Sequence, residues 1–124
     1  MVCADTSCWI AYLAGDPGED TDILEQALKH RIVVMAPVVL TELVSAPGLS
    51  IEDGMDLMTI RLLTPKAGFW WRAGKLRSVL LGKGHRPKTA DVLIAQSCLD
   101  YQAELVTRDR DFRPFAEHAG LVLP

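Results

Sequence analysis

The sequence predicts an α/β fold: one domain over residues 1–124, built on a five-stranded, mainly parallel sheet with helices on both sides. Three observations carry that expectation. Five short apolar segments alternate with segments of helical periodicity, in the order β-α-α-β-α-α-β-α-α-β-α-β. Helices between strands demand crossover connections, and crossovers make parallel neighbours. The strand segments are continuously apolar rather than alternating, as strands covered on both faces are. The chain has 124 residues, 49% of them apolar and 23% charged, which suits a single globular domain with its own core.

The elements follow in order. VCAD, Val2 to Asp5, is a buried strand that stops at a carboxylate. SCWIAYL sets Trp9, Ile10 and Leu13 at helical spacing, with Thr6 or Ser7 as candidate cap. GDPGED is a loop, and DTDILEQALKH places Ile23, Leu24, Ala27 and Leu28 on one helical stripe. RIVVMAP is a second strand, and Pro37 suits the first turn of a helix through VVLTELVSA. Ser50 is placed to cap the next helix, with Asp53 three residues on. IRLLT reads as a third strand. KAGFWWRAGKLRSVLLGKG is mostly helix despite its glycines. KTADVLIAQSCLDYQ is helix with a wide apolar face. ELVT is a strand, DFRPFAEH a short helix and LVLP a fifth strand.

Charge is unevenly spread. The net value is -3, but residues 1–60 hold ten acids and two bases, and residues 61–124 hold six acids and eleven bases. No acid occurs between Asp56 and Asp91, where Arg61, Lys66, Arg72, Lys75, Arg77, Lys83, Arg86 and Lys88 all fall. Such a run suits a polyanion, and it equally describes a solvated helix face. The longest apolar run, Ile32 to Leu40, is far short of the about 20 residues that cross a bilayer, so no membrane role is expected. The opening residues show no basic segment ahead of an apolar run, so no secretory leader is expected. Cys3, Cys8 and Cys98 are odd in number and follow no CxxC spacing. They read as free thiols of a reducing, cytoplasmic compartment.

The acids are the chemically pointed residues. Ligands of an open parallel sheet bind beyond the carboxyl ends of its strands. Asp5 ends the first strand, and Asp109 and Asp111 follow the fourth. Glu42 interrupts an apolar helix after the second, and Asp91 opens the helix before the fourth. Should Asp5, Glu42, Asp91 and Asp109 converge, their mutual repulsion would be relieved by a hard divalent cation such as Mg²⁺ or Mn²⁺. One or two such ions would support phosphodiester hydrolysis without a covalent nucleophile. Each acid also has a plainer reading: Asp5 as a helix cap, Glu42 as an exposed side chain, Asp91 as first-turn dipole chemistry, and Asp109 or Asp111 as the cap of the helix near Phe112. Local capping is the default role for the hydroxyls of Ser7 and Thr107. His30, His85 and His118 are too scattered for a zinc signature. Phe69, Trp70 and Trp71 read as core or dimer contacts, and three adjacent helical positions cannot all face inward.

In this order the motifs resemble those of the PIN domain, and within it the VapC-type toxins of toxin–antitoxin pairs. VCADTSCWIAYL, APVVLTELVSA, KTADVLIAQSCLD and LVTRDRDF are similar to the four acidic motifs, and FWWRAGKLRSVLLGKG to the segment before the third. The resemblance implies a five-stranded, three-layer sandwich and a Mg²⁺- or Mn²⁺-dependent endoribonuclease. It assigns the acidic positions to Asp5, Glu42, Asp91 and Asp109, with Asp111 as an additional acid and Ser7 and Thr107 as supporting polar groups. Lys66, Arg72, Lys75, Arg77, Lys83, Arg86, Lys88, Arg108 and Arg110 are then candidates to position RNA. A cognate antitoxin, a homodimer, and operator DNA reached only through the antitoxin are the implied partners. LVSAPG after Glu42 lacks a basic residue that some relatives carry there. Two other classes compete with this reading: a non-catalytic PIN-like module that binds nucleic acid or protein, and a metal-dependent phosphatase.

Overall fold

A computed structural model describes residues 1–124. Four strands, β1 (Val2–Ala4), β2 (Val33–Met35), β3 (Arg61–Leu62) and β4 (Glu104–Val106), form one sheet in the order β3-β2-β1-β4. Every pairing is parallel. Seven helices connect and follow them: α1 (Thr6–Ala14), α2 (Glu19–Lys29), α3 (Pro37–Val44), α4 (Ile51–Leu57), α5 (Phe69–Gly82), α6 (Thr89–Tyr101) and α7 (Arg113–Ala119). A single 3₁₀ turn, Arg110–Phe112, precedes α7. No helix is long and apolar enough to cross a membrane.

The sheet has four strands, not five. Leu121–Pro124 runs beside β4 but makes only one backbone hydrogen bond to it, from the Leu105 N–H to the Val122 carbonyl, 2.9 Å. The Leu121 N–H is spent on the carbonyl of Phe115 in α7, and Pro124 has no N–H to give. Apolar composition placed Leu121 in the core, where it is buried, without supplying the ladder a strand needs.

The two central strands, β1 and β2, and the last two residues of β4 are buried for the reason their composition suggests. Cys3, Ala4, Met35 and Leu105 are completely inaccessible, and they join Leu24, Val39, Leu80, Phe112 and Phe115 in one continuous core. Around the sheet α1 packs on α2 and α3, α3 on α6, α6 on α5, and α5 on α7. All three cysteines are free and buried. The α1 stripe is narrower than the sequence suggested: Trp9 is buried, but Ile10 is 52% exposed. Pro37 and Ser50 do start α3 and α4, and the Ser50 Oγ accepts from the Asp53 N–H at 3.0 Å. Phe69 is the inward member of its aromatic trio; Trp70 and Trp71 face out.

Register decides what meets at the carboxyl edge. Ala4 pairs with Val106, so the residues that follow, Asp5 and Thr107, leave the sheet side by side. The chain runs from β1 to β2 on one side of β1 and returns to β4 on the other, which makes the β1–β4 junction the topological switch point where α/β sheets hold ligands.

Candidate metal centre at the carboxyl edge of the sheet

Asp5 is 3% exposed and is itself the N-cap of α1, the plainer of the readings its sequence allowed, so neither Thr6 nor Ser7 takes that role. Strand geometry at Asp5 leaves the first N–H groups of α1 unpaired, and its Oδ1 accepts from the Cys8 N–H at 2.9 Å. The Ser7 hydroxyl, freed from capping, lies 2.8 Å from both Asp5 oxygens. The Thr107 hydroxyl donates to Asp5 Oδ2 at 2.7 Å and accepts from the Asp109 N–H at 2.9 Å. That one hydroxyl ties the end of β4 to the end of β1. Burial pushes the Asp5 carboxyl up and outweighs the opposing pull of the Cys8, Thr107 and Ser7 donors, with the Asp109 charge adding to the rise.

Beside this wired carboxylate, Asp91, Asp109 and Asp111 each offer an oxygen, and the three oxygens lie within 4.8 Å of one another. Asp109 Oδ1 accepts from the Asp111 N–H at 2.9 Å and so caps the 3₁₀ turn, which aims both acids toward α6. Asp91 sits in the first turn of α6. Its carboxyl is pushed up to about 6, first by burial, then by the Asp109 charge, with Lys88 opposing and Asp5 and Asp111 adding smaller repulsion. The donor set is all oxygen and all acidic. It fits a hard cation such as Mg²⁺ or Mn²⁺ and lacks the nitrogen or sulfur that zinc favours.

Glu42 is exposed on α3 and joins by a shorter link. It accepts from the Thr6 Oγ1 at 2.6 Å, one residue from Asp5, and stands outside the group of three converging oxygens. Thr6 had no visible role in the sequence beyond capping.

The nine basic candidates divide. Arg72 is engaged by Asp100 at 2.5 and 3.2 Å, and Arg108 grips Asp20 at 2.8 and 3.0 Å. Lys66 donates to the Asp100 carbonyl and lies 4.2 Å from the Tyr101 ring centroid. Lys75 covers Trp71, Arg77 donates to the Pro87 carbonyl at 3.2 Å, and Lys83 is exposed at the end of α5. Arg86, Lys88 and Arg110 line a cleft of about 230 Å³ together with Asp91 and Asp111. A second cleft of about 270 Å³, beyond β4, is lined by Arg108 and Arg110 with Arg113, a residue the sequence did not single out. Basic side chains thus flank the acids on two sides.

The same arrangement of chain is found in solved structures. VapBC2 of Rickettsia felis, bound to a DNA fragment from its promoter, superposes with a TM-score of 0.74 at 23% identity, over 100% of this chain and 98% of that one. VapBC-1 of nontypeable Haemophilus influenzae gives 0.75 at 21%, over 100% and 97%. VapBC-5 of Mycobacterium tuberculosis, a member of the VapBC family of toxin–antitoxin systems, gives 0.68 at 18%, over 98% and 95%. At these identities the likeness is one of fold. The sequence matches no curated protein. The model of the PIN domain, however, matches residues 2–118, almost the whole chain and every acid described above, and the chain therefore belongs to the PIN-domain family.

Proposed function

We propose that this protein is a divalent-metal-dependent endoribonuclease and the toxin of a toxin–antitoxin pair. The observation that carries the reading is the meeting of Asp91, Asp109 and Asp111 within 4.8 Å, beside the buried Asp5 at the switch point of the sheet. Those three acids would hold the cation, with Asp5 as a fourth carboxylate and Glu42 at the rim. When bound, Mg²⁺ or Mn²⁺ supplies Lewis-acid activation of water and charge stabilisation at the scissile phosphate.

The chain's own residues do the rest. Ser7 and Thr107 hold the Asp5 carboxylate in one orientation. Lys88, Arg86 and Arg110 line the approach and meet the phosphates that flank the cut. Arg72 and Arg108 are held in ion pairs and serve the fold before they serve RNA. Water attacks phosphorus with no 2′-hydroxyl nucleophile, so cleavage leaves 3′-hydroxyl and 5′-phosphate ends.

Partners follow from the relatives. The similar chains were solved as VapBC proteins, one of them with promoter DNA. An antitoxin, a homodimer and operator contact through the antitoxin are proposed here on that likeness. Exposed Ile10, Ile51, Met55 and Met58 on α1 and α4 supply apolar surface of the kind a protein partner covers.

The test is end-mapping of total RNA after incubation with the wild type or Asp91→Asn in Mn²⁺. Asp91 is the informative choice because its carboxylate takes no hydrogen bond that the fold relies on. Wild type should yield 5′-phosphate ends that the variant does not. Cleavage undiminished in the variant, or 2′,3′-cyclic phosphate ends, would rule the mechanism out.

A further inference from the structure

His85 and His118 are 33 residues apart in sequence, yet their Nε2 atoms face one another at 3.3 Å. His85 lies in the loop after α5, and His118 in the last turn of α7. Their ring centroids are 5.3 Å apart and the planes are tilted by 45°, so the rings meet edge to edge rather than stacked. The separation stands at the long end for a hydrogen bond. Two imidazole nitrogens on one tetrahedral zinc, each at roughly 2.0–2.1 Å from it, stand about 3.3 Å apart. Glu117, beside His118 in the chain and 65% exposed, has an oxygen 3.8 Å from His118 Nε2 but does not converge with both rings. Both histidines reach solvent, so a metal has access and water can complete the shell.

We propose that His85 and His118, with water completing the shell, form a zinc site distinct from the carboxylate cluster. The two sites differ in donor chemistry. Imidazole suits borderline ions such as Zn²⁺ and its neighbours in the transition series, whereas three carboxylates suit Mg²⁺ or Mn²⁺. The site also has a structural consequence. His85 lines the 230 Å³ cleft with Arg86, Lys88, Asp91 and Asp111, and α7 follows directly on the turn that carries Asp111. Zinc would clamp the Arg86–Lys88 loop to α7, and so fix two walls of that cleft against each other. The proposal does not depend on the nuclease reading, because its readout is metal binding.

The experiment is calorimetric titration of Zn²⁺ into the full chain in saturating Mg²⁺, which occupies the carboxylates. The same titration is run on His85→Gln, His118→Gln and Asp91→Asn, with circular dichroism confirming that each is folded. Wild type and Asp91→Asn should each bind one zinc and gain thermal stability from it. Each histidine variant should bind at least about tenfold to a hundredfold more weakly, because losing a ligand costs no less than losing an outer-shell partner that orients one. Because His85 is in a loop, its variant decides the matter should His118→Gln misfold. Zinc affinity unchanged in both histidine variants, or zinc binding abolished in Asp91→Asn, would overturn the proposal.

Discussion

Asp5 and Asp91 stand at the same edge of the sheet, and the chain treats them in opposite ways. Asp5 is almost wholly buried but is met by the Cys8 N–H and the Ser7 and Thr107 hydroxyls. Asp91 is only half-buried, yet no protein donor reaches its carboxylate, and the nearest strong influence after burial is the like charge of Asp109. Exposure alone would rank the two the other way. What a buried charge costs depends on the donors that replace water. One wall of the site is completed by the protein, and the other is left in a state that an outside cation relieves. The second wall is therefore where fold stability and activity should trade against each other.

The largest expected effect breaks the second wall. Asp91→Asn or Asp109→Asn should lower Mn²⁺-dependent RNA cleavage by about a hundredfold or more, as expected when one group that stabilises transition-state charge is lost. Single-turnover cleavage of labelled RNA measures it. Breaking the first wall should register in stability instead. Asp5→Ala removes the cap of α1 and strands two hydroxyls and an N–H, so urea denaturation should show a loss of about 2–3 kcal/mol.

The comparison sharpens with pH. The Asp91 carboxyl sits at about 6 in the folded chain against an ordinary value of 3.8, so the folded state holds the proton more tightly than the unfolded one. Ionisation then costs nothing below about pH 4, and the cost is fully present above about pH 6. Without metal, Asp91→Asn should be more stable than wild type by about 1–2 kcal/mol at pH 7, allowing for the contact this side chain keeps with water. The difference should vanish near pH 4. Mg²⁺ should reverse the order by raising the Tm of wild type alone, and its affinity should weaken as pH falls through 6. A variant less stable than wild type at pH 7 would mean that Asp91 has a donor after all.

Much of this edge was legible because each acid bounds an apolar segment: Asp5 ends one, Asp91 opens one, and Asp109 and Asp111 follow one. The β1–β4 register was not legible, and it is the register that brings Thr107 to Asp5. The fifth strand fails because apolar composition at Leu121 reports burial and not the destination of backbone N–H groups. Likewise, charge density marked Arg72 and Arg108, but their partners Asp100 and Asp20 lie 28 and 88 residues away. Three scattered histidines gave no metal spacing, and only the return of α7 beside α5 brings two of them together. Local chemistry can be read along the chain, whereas pairing across it needs the fold.

Glu42 is the smallest and most discriminating case. It interrupts an apolar helix, which marked it as a ligand, yet it is exposed and its one protein partner is the Thr6 hydroxyl. Glu42→Gln keeps an oxygen to accept that bond, so stability should change by no more than about 0.5 kcal/mol. Its charge is screened by water, and an exposed charge is worth roughly 0.2–1 kcal/mol to a neighbour, so Mn²⁺ affinity should fall by about twofold to fivefold. Calorimetric titration of Mn²⁺ measures the difference. A loss as deep as that of Asp91→Asn would move Glu42 from the rim into the cation's own oxygen set. Its side chain would then have to leave Thr6 when the metal binds, and Thr6→Val, which removes the competing donor, should tighten Mn²⁺ binding rather than leave it unchanged.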